Sequence, residues 1–235
     1  MKKKSKIVTG ILFLSLFTLV ACKDSTGSST TGEGIVSPGE AIDVSDFDSL
    51  DIDYQLQGEC YAFSSEKNEQ PSNGEWHSPN RPLKTNGRFT KGKLYLVAEE
   101  QPVKYGDTDL VGYKLYLVNT TNKKAVFWVQ DSRLSIITEV VDEYGNWKPI
   151  TYLPSSFCGN SYHTITLDKN EYWEFVQPVY TGEFETKLRY RLDGQEDGQI
   201  IISNEIATQI NPGQMNPERK EGNRGGGNLM DPYSL

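Results

Sequence analysis

Residues 184–192 read Phe-Glu-Thr-Lys-Leu-Arg-Tyr-Arg-Leu. Phe184, Thr186, Leu188, Tyr190 and Leu192 fall on one side of an extended chain. Glu185, Lys187, Arg189 and Arg191 fall on the other. Side chains alternate across a strand, so this is a half-buried strand with one solvated face. Outside the N-terminal 22 residues no window of 11 or more shows the 3.6-residue period of an amphipathic helix. The chain is therefore expected to fold as strands packed on strands.

Similar runs recur roughly every 8–14 residues. They cover 50–56, 93–98, 112–118, 125–130, 133–141, 147–152, 162–167, 171–177 and 198–203. Trp173 and Phe175 share one face, as do Leu134, Ile136 and Val140. Trp128 points opposite Phe127 and Val129. Asn, Asp and Gly clusters punctuate the runs at 119–123, 142–146, 168–170 and 193–194. This rhythm predicts an all-β, antiparallel β-sandwich over residues 50–210. Residues 64–91 are polar, hold Pro71, Pro79 and Pro82, and read as one long loop.

Within residues 112–206, an Asn-rich turn follows Leu117-Val118. Thr181-Gly182-Glu-Phe184 leads into the charged-out strand, and Ile201-Ile202-Ser203-Asn204-Glu205 supplies a last strand. This order resembles bacterial immunoglobulin-like domains. The resemblance spans about 95 residues and implies an immunoglobulin-like sandwich. The cysteine pair that brackets a core tryptophan in many such domains is lacking, since the span holds only Cys158.

The N-terminus addresses the compartment. Lys2, Lys3, Lys4 and Lys6 precede a 14-residue uncharged stretch from Ile7 to Val20. As a helix it would reach about 21 Å, short of the roughly 30 Å hydrocarbon core. A signal peptide over residues 1–21 fits that length better than a membrane span. The stretch closes Leu19-Val20-Ala21-Cys22, which resembles the lipobox of bacterial lipoproteins. The resemblance implies cleavage before Cys22, a diacylglycerol thioether on its sulfur, and acylation (palmitate-type chains) of the new amine. Two or three chains give stable attachment where one does not. The implied partner is thus the lipid bilayer, and the localisation is a cell membrane, lipid-anchored. Lys23 stands where a familiar inner-membrane retention signal has Asp. That points to the outer membrane of a Gram-negative envelope, periplasmic or surface-exposed.

Residues 22–49 are mostly Ser, Thr, Gly and acid, too polar to offset ordering entropy. They read as a flexible tether with about 30 Å of reach. Residues 211–235, with Pro212, Pro217, Pro232 and Arg224-Gly225-Gly226-Gly227, read as a disordered tail.

Charge and composition exclude whole classes. The net charge is −8, and loss of four lysines with the signal peptide takes it to −12. Such a chain has no basic face for nucleic acid and no electrostatic attraction to anionic lipid. Two His and three Cys leave no His/Cys set for a zinc architecture, and no metal or cofactor is expected. No Gly-x-Ser-x-Gly, His-Glu-x-x-His, Walker loop or Cys-x-x-Cys is present. Asp46, Asp48, Asp51 and Asp53 read as a solvated acidic run before calcium ligands.

Three features carry candidate chemistry. Cys60 and Cys158 are candidates for a disulfide in an oxidising compartment, with two separate thiols as the other reading. Trp76 and Trp147, lying in or beside loops, could stack on a sugar or peptide. His163, on a strand face with Ile165 and Leu167, reads as a core or pocket histidine. The expectation is a non-enzymatic lipoprotein that binds or assembles a protein or glycan partner of the cell envelope. The alternative is an envelope hydrolase using acidic residues or a Cys158/His163 pair.

Overall fold

The structure, a computed structural model, describes residues 47–65, 78–156, 158–195 and 197–217. The signal peptide, Cys22, Trp76 and most of the tether and tail lie outside them. Among the described residues no helix is long and apolar enough to cross a membrane.

The chain is all-β and forms an antiparallel sandwich. One sheet runs β3 (Leu83–Lys84), β12 (Glu171–Pro178), β5 (Val111–Asn119), β4 (Leu94–Lys104). The other runs β9 (Trp147–Pro149), β8 (Ile136–Val141), β14 (Phe184–Leu192), with β15 (Ile201–Ile202) and β16 (Ile206–Ile210) sharing the far side of β14. A third, smaller sheet orders β11 (Tyr162–Leu167), β6 (Ala125–Gln130) and β7 (Arg133–Leu134). Two short parallel pairs tie in the N-terminal residues: β1 (Leu50–Asp51) with β13 (Tyr180–Thr181), and β2 (Leu56–Gln57) with β10 (Thr151–Tyr152).

The alternation of residues 184–192 survives intact. Leu188, Tyr190 and Leu192 are fully buried, whereas Glu185 and Lys187 are exposed. Their buried face joins Val140 and Ile136 of β8 and Leu115, Leu117, Trp173 and Phe175 of the opposite sheet in one core. Trp173 is its largest side chain. Its Nε1 donates to the Phe63 carbonyl at 3.0 Å, and its ring meets Phe127 edge-on at 5.7 Å. Trp128 turns outward from β6, as the alternation requires.

The run 133–141 is one stretch that serves two sheets. It changes partner at Ser135: Arg133 and Leu134 pair with β6, and from Ile136 the run pairs with β14, a ladder that the Asp193 N–H bond to the Ser135 carbonyl at 3.0 Å extends in register. The β6–β7 hairpin closes on Asp131 and Ser132, with φ of 49° and 64°. Two central residues with positive φ match the strand twist, a geometry normally filled by Asn-Gly.

Several boundaries differ from the sequence reading. Residues 50–56 are two short strands with a bend between, because their partners β13 and β10 are separate. The 147–152 run splits at Ile150, which is fully buried. The last strand is β16, one step beyond the predicted 201–205, where Asn204 leaves the ladder to bond both backbone groups of Ala98. The 64–91 run is not one loop: it supplies β3 to the first sheet, because Leu83 and Lys84 pair with Tyr172 and Glu171, and its described part is anchored to the body. Asn80 Nδ2 donates to the carbonyls of Tyr61 and Glu174, and Phe89 packs on Tyr172 at 4.9 Å. The body also takes in residues given to tether and tail. Asp48 bridges Leu110, and Asp53 Oδ1 accepts the Gly213 N–H at 2.7 Å.

Candidate functional site

The residues singled out in the sequence are mostly engaged by their own chain. Trp147 is half-buried on β9, and the Arg189 guanidinium stacks 3.9 Å from its ring centre. That arginine and Arg191 project from the solvated face of β14 onto one carboxylate, Glu139 of β8. Arg189 Nη2 lies 2.8 Å and Arg191 Nε 2.9 Å from it. Glu139 is nearly buried, so two cations offset its desolvation. Arg191 also reaches Asp193, whose carboxyl burial pushes up while Arg191 draws it back. Arg189 therefore occupies one face of the Trp147 ring. Trp147 also edges a shallow recess of about 390 Å³ with Phe184, Thr186 and Lys187.

His163 shares its strand face with Ile165 and Leu167, as read from the sequence. Its ring tilts against Phe63 at 6.3 Å, and Arg81 covers Phe63 at 4.5 Å. Cys158 stands apart on an exposed turn. Its N–H donates to Ser156 Oγ, and its carbonyl accepts the Ser161 N–H.

The expected disulfide is not formed: Cys60 and Cys158 are both free thiols. Cys60 is sealed in the core, its carbonyl accepting the Leu134 N–H. Burial pushes its thiol far up, with Glu59 adding to the effect, so it is an inert buried thiol. Among the described residues no cluster of three or more His, Cys, Asp or Glu could hold a metal ion. The buried carboxylates are paired with cations, Glu139 as above and Glu171 with Lys84 at 2.7 Å.

The structure assembles instead a site that the sequence did not announce. A cleft of about 370 Å³ is lined by four tyrosines: Tyr54, Tyr105, Tyr152 and Tyr180. They come from four separate places. Tyr54 precedes β2, Tyr152 closes β10, Tyr180 opens β13 and Tyr105 starts the β4–β5 turn. The parallel pairs β2–β10 and β1–β13 bring these segments together, and the Gly58 N–H bond to the Tyr152 carbonyl at 2.9 Å fixes one wall. Gln55, Gln57, Gln177 and the exposed Glu59 supply the polar lining. Gln55 is held in place by donating to the Pro149 carbonyl at 2.8 Å.

Behind the floor the tyrosines continue. Burial pushes the hydroxyls of Tyr180 and Tyr105 up, with Tyr105 acting on Tyr180 and Glu59 on Tyr105. Tyr190, fully buried beneath, feels Tyr180, Cys60 and Tyr113. Its hydroxyl has no hydrogen-bond partner among the described residues. The only hints in the sequence were local: each lining tyrosine lies within two residues of Gln, Gly or Pro, at an element end.

No protein-family model matches the chain, and no curated protein matches it.

Proposed function

We propose that the chain is a lipid-anchored lipoprotein of the bacterial envelope whose β-sandwich is a non-enzymatic binding module for a protein or glycan partner. The observation that carries this reading is the tyrosine-lined cleft. It presents flat amphipathic rings and fixed amide groups, the chemistry of recognition, on a rigid sheet framework. Anchoring rests on the Leu19-Val20-Ala21-Cys22 resemblance, and the Lys23 that follows favours the outer membrane.

Strand pairing supports the immunoglobulin-like reading of the body. β4-β5-β12 forms one sheet and β9-β8-β14-β16 the other, the partition that such sandwiches make. In this arrangement loops and short accessory strands are free to build a site while the sheets hold it still.

The test places a photo-crosslinking amino acid at Tyr54 of the full lipidated chain in native membranes. An adduct with one envelope protein or glycan, lost in Cys22→Ser, is the expected result. Turnover of any substrate in a broad hydrolase screen, abolished by a cleft substitution, contradicts it.

A further inference from the structure

We infer that the tyrosine cleft is a saccharide site, taking a neutral pyranose unit of a glycan; this rests on the binding-module reading above. The argument is one of matched groups. A pyranose ring offers a flat C–H face and a rim of hydroxyls that both donate and accept. The cleft is lined by the aromatic side chains of Tyr54, Tyr105 and Tyr152, and by side chains of the same dual character in Gln57 and Gln177. Glu59 adds an acceptor for a pair of hydroxyls. Among the described residues that line the cleft there is no Lys or Arg, so nothing there selects an anionic ligand. Leu56 and Pro178 are its aliphatic elements, too few to anchor an apolar peptide side chain.

Two further observations point the same way. The cleft volume, about 370 Å³, lies in the range of small-molecule sites. And the floor is built to hold polar groups: Gln177 is 7% exposed and Gln55 4%, both kept in position by backbone carbonyls. A buried amide held this way discriminates by hydrogen bonding, because a ligand lacking the hydroxyl leaves it unpaired.

The proposal is tested with the full chain in mild detergent on an array of neutral oligosaccharides of two to six units, followed by calorimetry on the strongest binder. At least one series is expected to bind with Kd below about 1 mM. Tyr54→Ala and Glu59→Gln, both at exposed positions, are each expected to weaken it about tenfold with an unchanged melting temperature. Binding to no array member, or equal binding by both variants, overturns the assignment. So does saturation by choline, whose quaternary ammonium would use the same rings and Glu59 as a cation cage. The bound oligosaccharide is also recovered and sized. Recovery uncut is expected. Shortened products would leave the saccharide site standing and defeat the non-enzymatic reading. A protein adduct at Tyr54 without sugar binding would do the reverse.

Discussion

Replacing Ser132 by glycine is expected to stabilise the protein, although Ser132 is fully buried. Ser132 sits at the second central position of the β6–β7 hairpin with φ of 64°. A side chain in that left-handed conformation costs roughly 1–2 kcal/mol, which glycine avoids. The Ser132 hydroxyl is buried with no hydrogen-bond partner among the described residues, a further penalty of about 1–3 kcal/mol. Against these stand the greater freedom of glycine in the unfolded chain, about 0.5–1 kcal/mol, and the loss of one buried carbon, about 1 kcal/mol. The balance is a gain of roughly 1–2 kcal/mol. For a body of this size that raises the melting temperature by about 2–8 °C. The Ser132 carbonyl still accepts from the Ala62 N–H, so the hairpin stays docked. Thermal unfolding of wild type and Ser132→Gly, followed by circular dichroism in the same buffer, gives the answer. A melting temperature equal to or below wild type would refute the reasoning about strain and the orphaned hydroxyl.

Three other outcomes follow from the same structure. Trp173→Phe removes the donor to the buried Phe63 carbonyl and part of a fully buried ring, and is expected to cost about 2–4 kcal/mol in urea unfolding. Trp128→Phe on the outer face should cost well under 1 kcal/mol. In a Cys22→Ser chain, a thiol reagent should modify Cys158 at once and Cys60 only after unfolding; two unreactive cysteines that appear on reduction would show a bridge. Asp142 accepts the backbone N–H groups of Tyr144 and Asn146 and faces Lys148. Slight burial opposes these partners, but together they hold its carboxyl below the ordinary 3.8. A lowered folded value means its contribution is present above pH 3.8 and lost as pH falls through the folded value. Asp142→Asn should therefore be less stable than wild type at pH 6, with the difference shrinking as pH falls below 3.8.

The strands with a strong local pattern were legible. Residues 125–130 and 162–167 became β6 and β11 with the expected ends, and in 184–192 the three buried residues, Leu188, Tyr190 and Leu192, all lie on the face expected inward. Legibility failed where pairing, not pattern, decides. β13 is two residues long and exists because β1 offers it a partner. The change of partner at Ser135 is invisible in one continuous alternating run, because it is set by β6 on one side and by the sequence-distant β14 on the other. The site suffers most from this. Tryptophans stand out in a sequence, yet Arg189 covers Trp147. The four cleft tyrosines are spread from Tyr54 to Tyr180, and the two parallel strand pairs together with the β4–β5 turn bring them to one place.

The role proposed for the body depends on where the chain is held, and the mass of its N-terminal peptide after purification from native membranes tests that most directly. A chain beginning at Cys22, with a diacylglyceryl thioether and an acylated amine, is the predicted result. An N-terminus elsewhere, or Cys22 present without lipid, would contradict it.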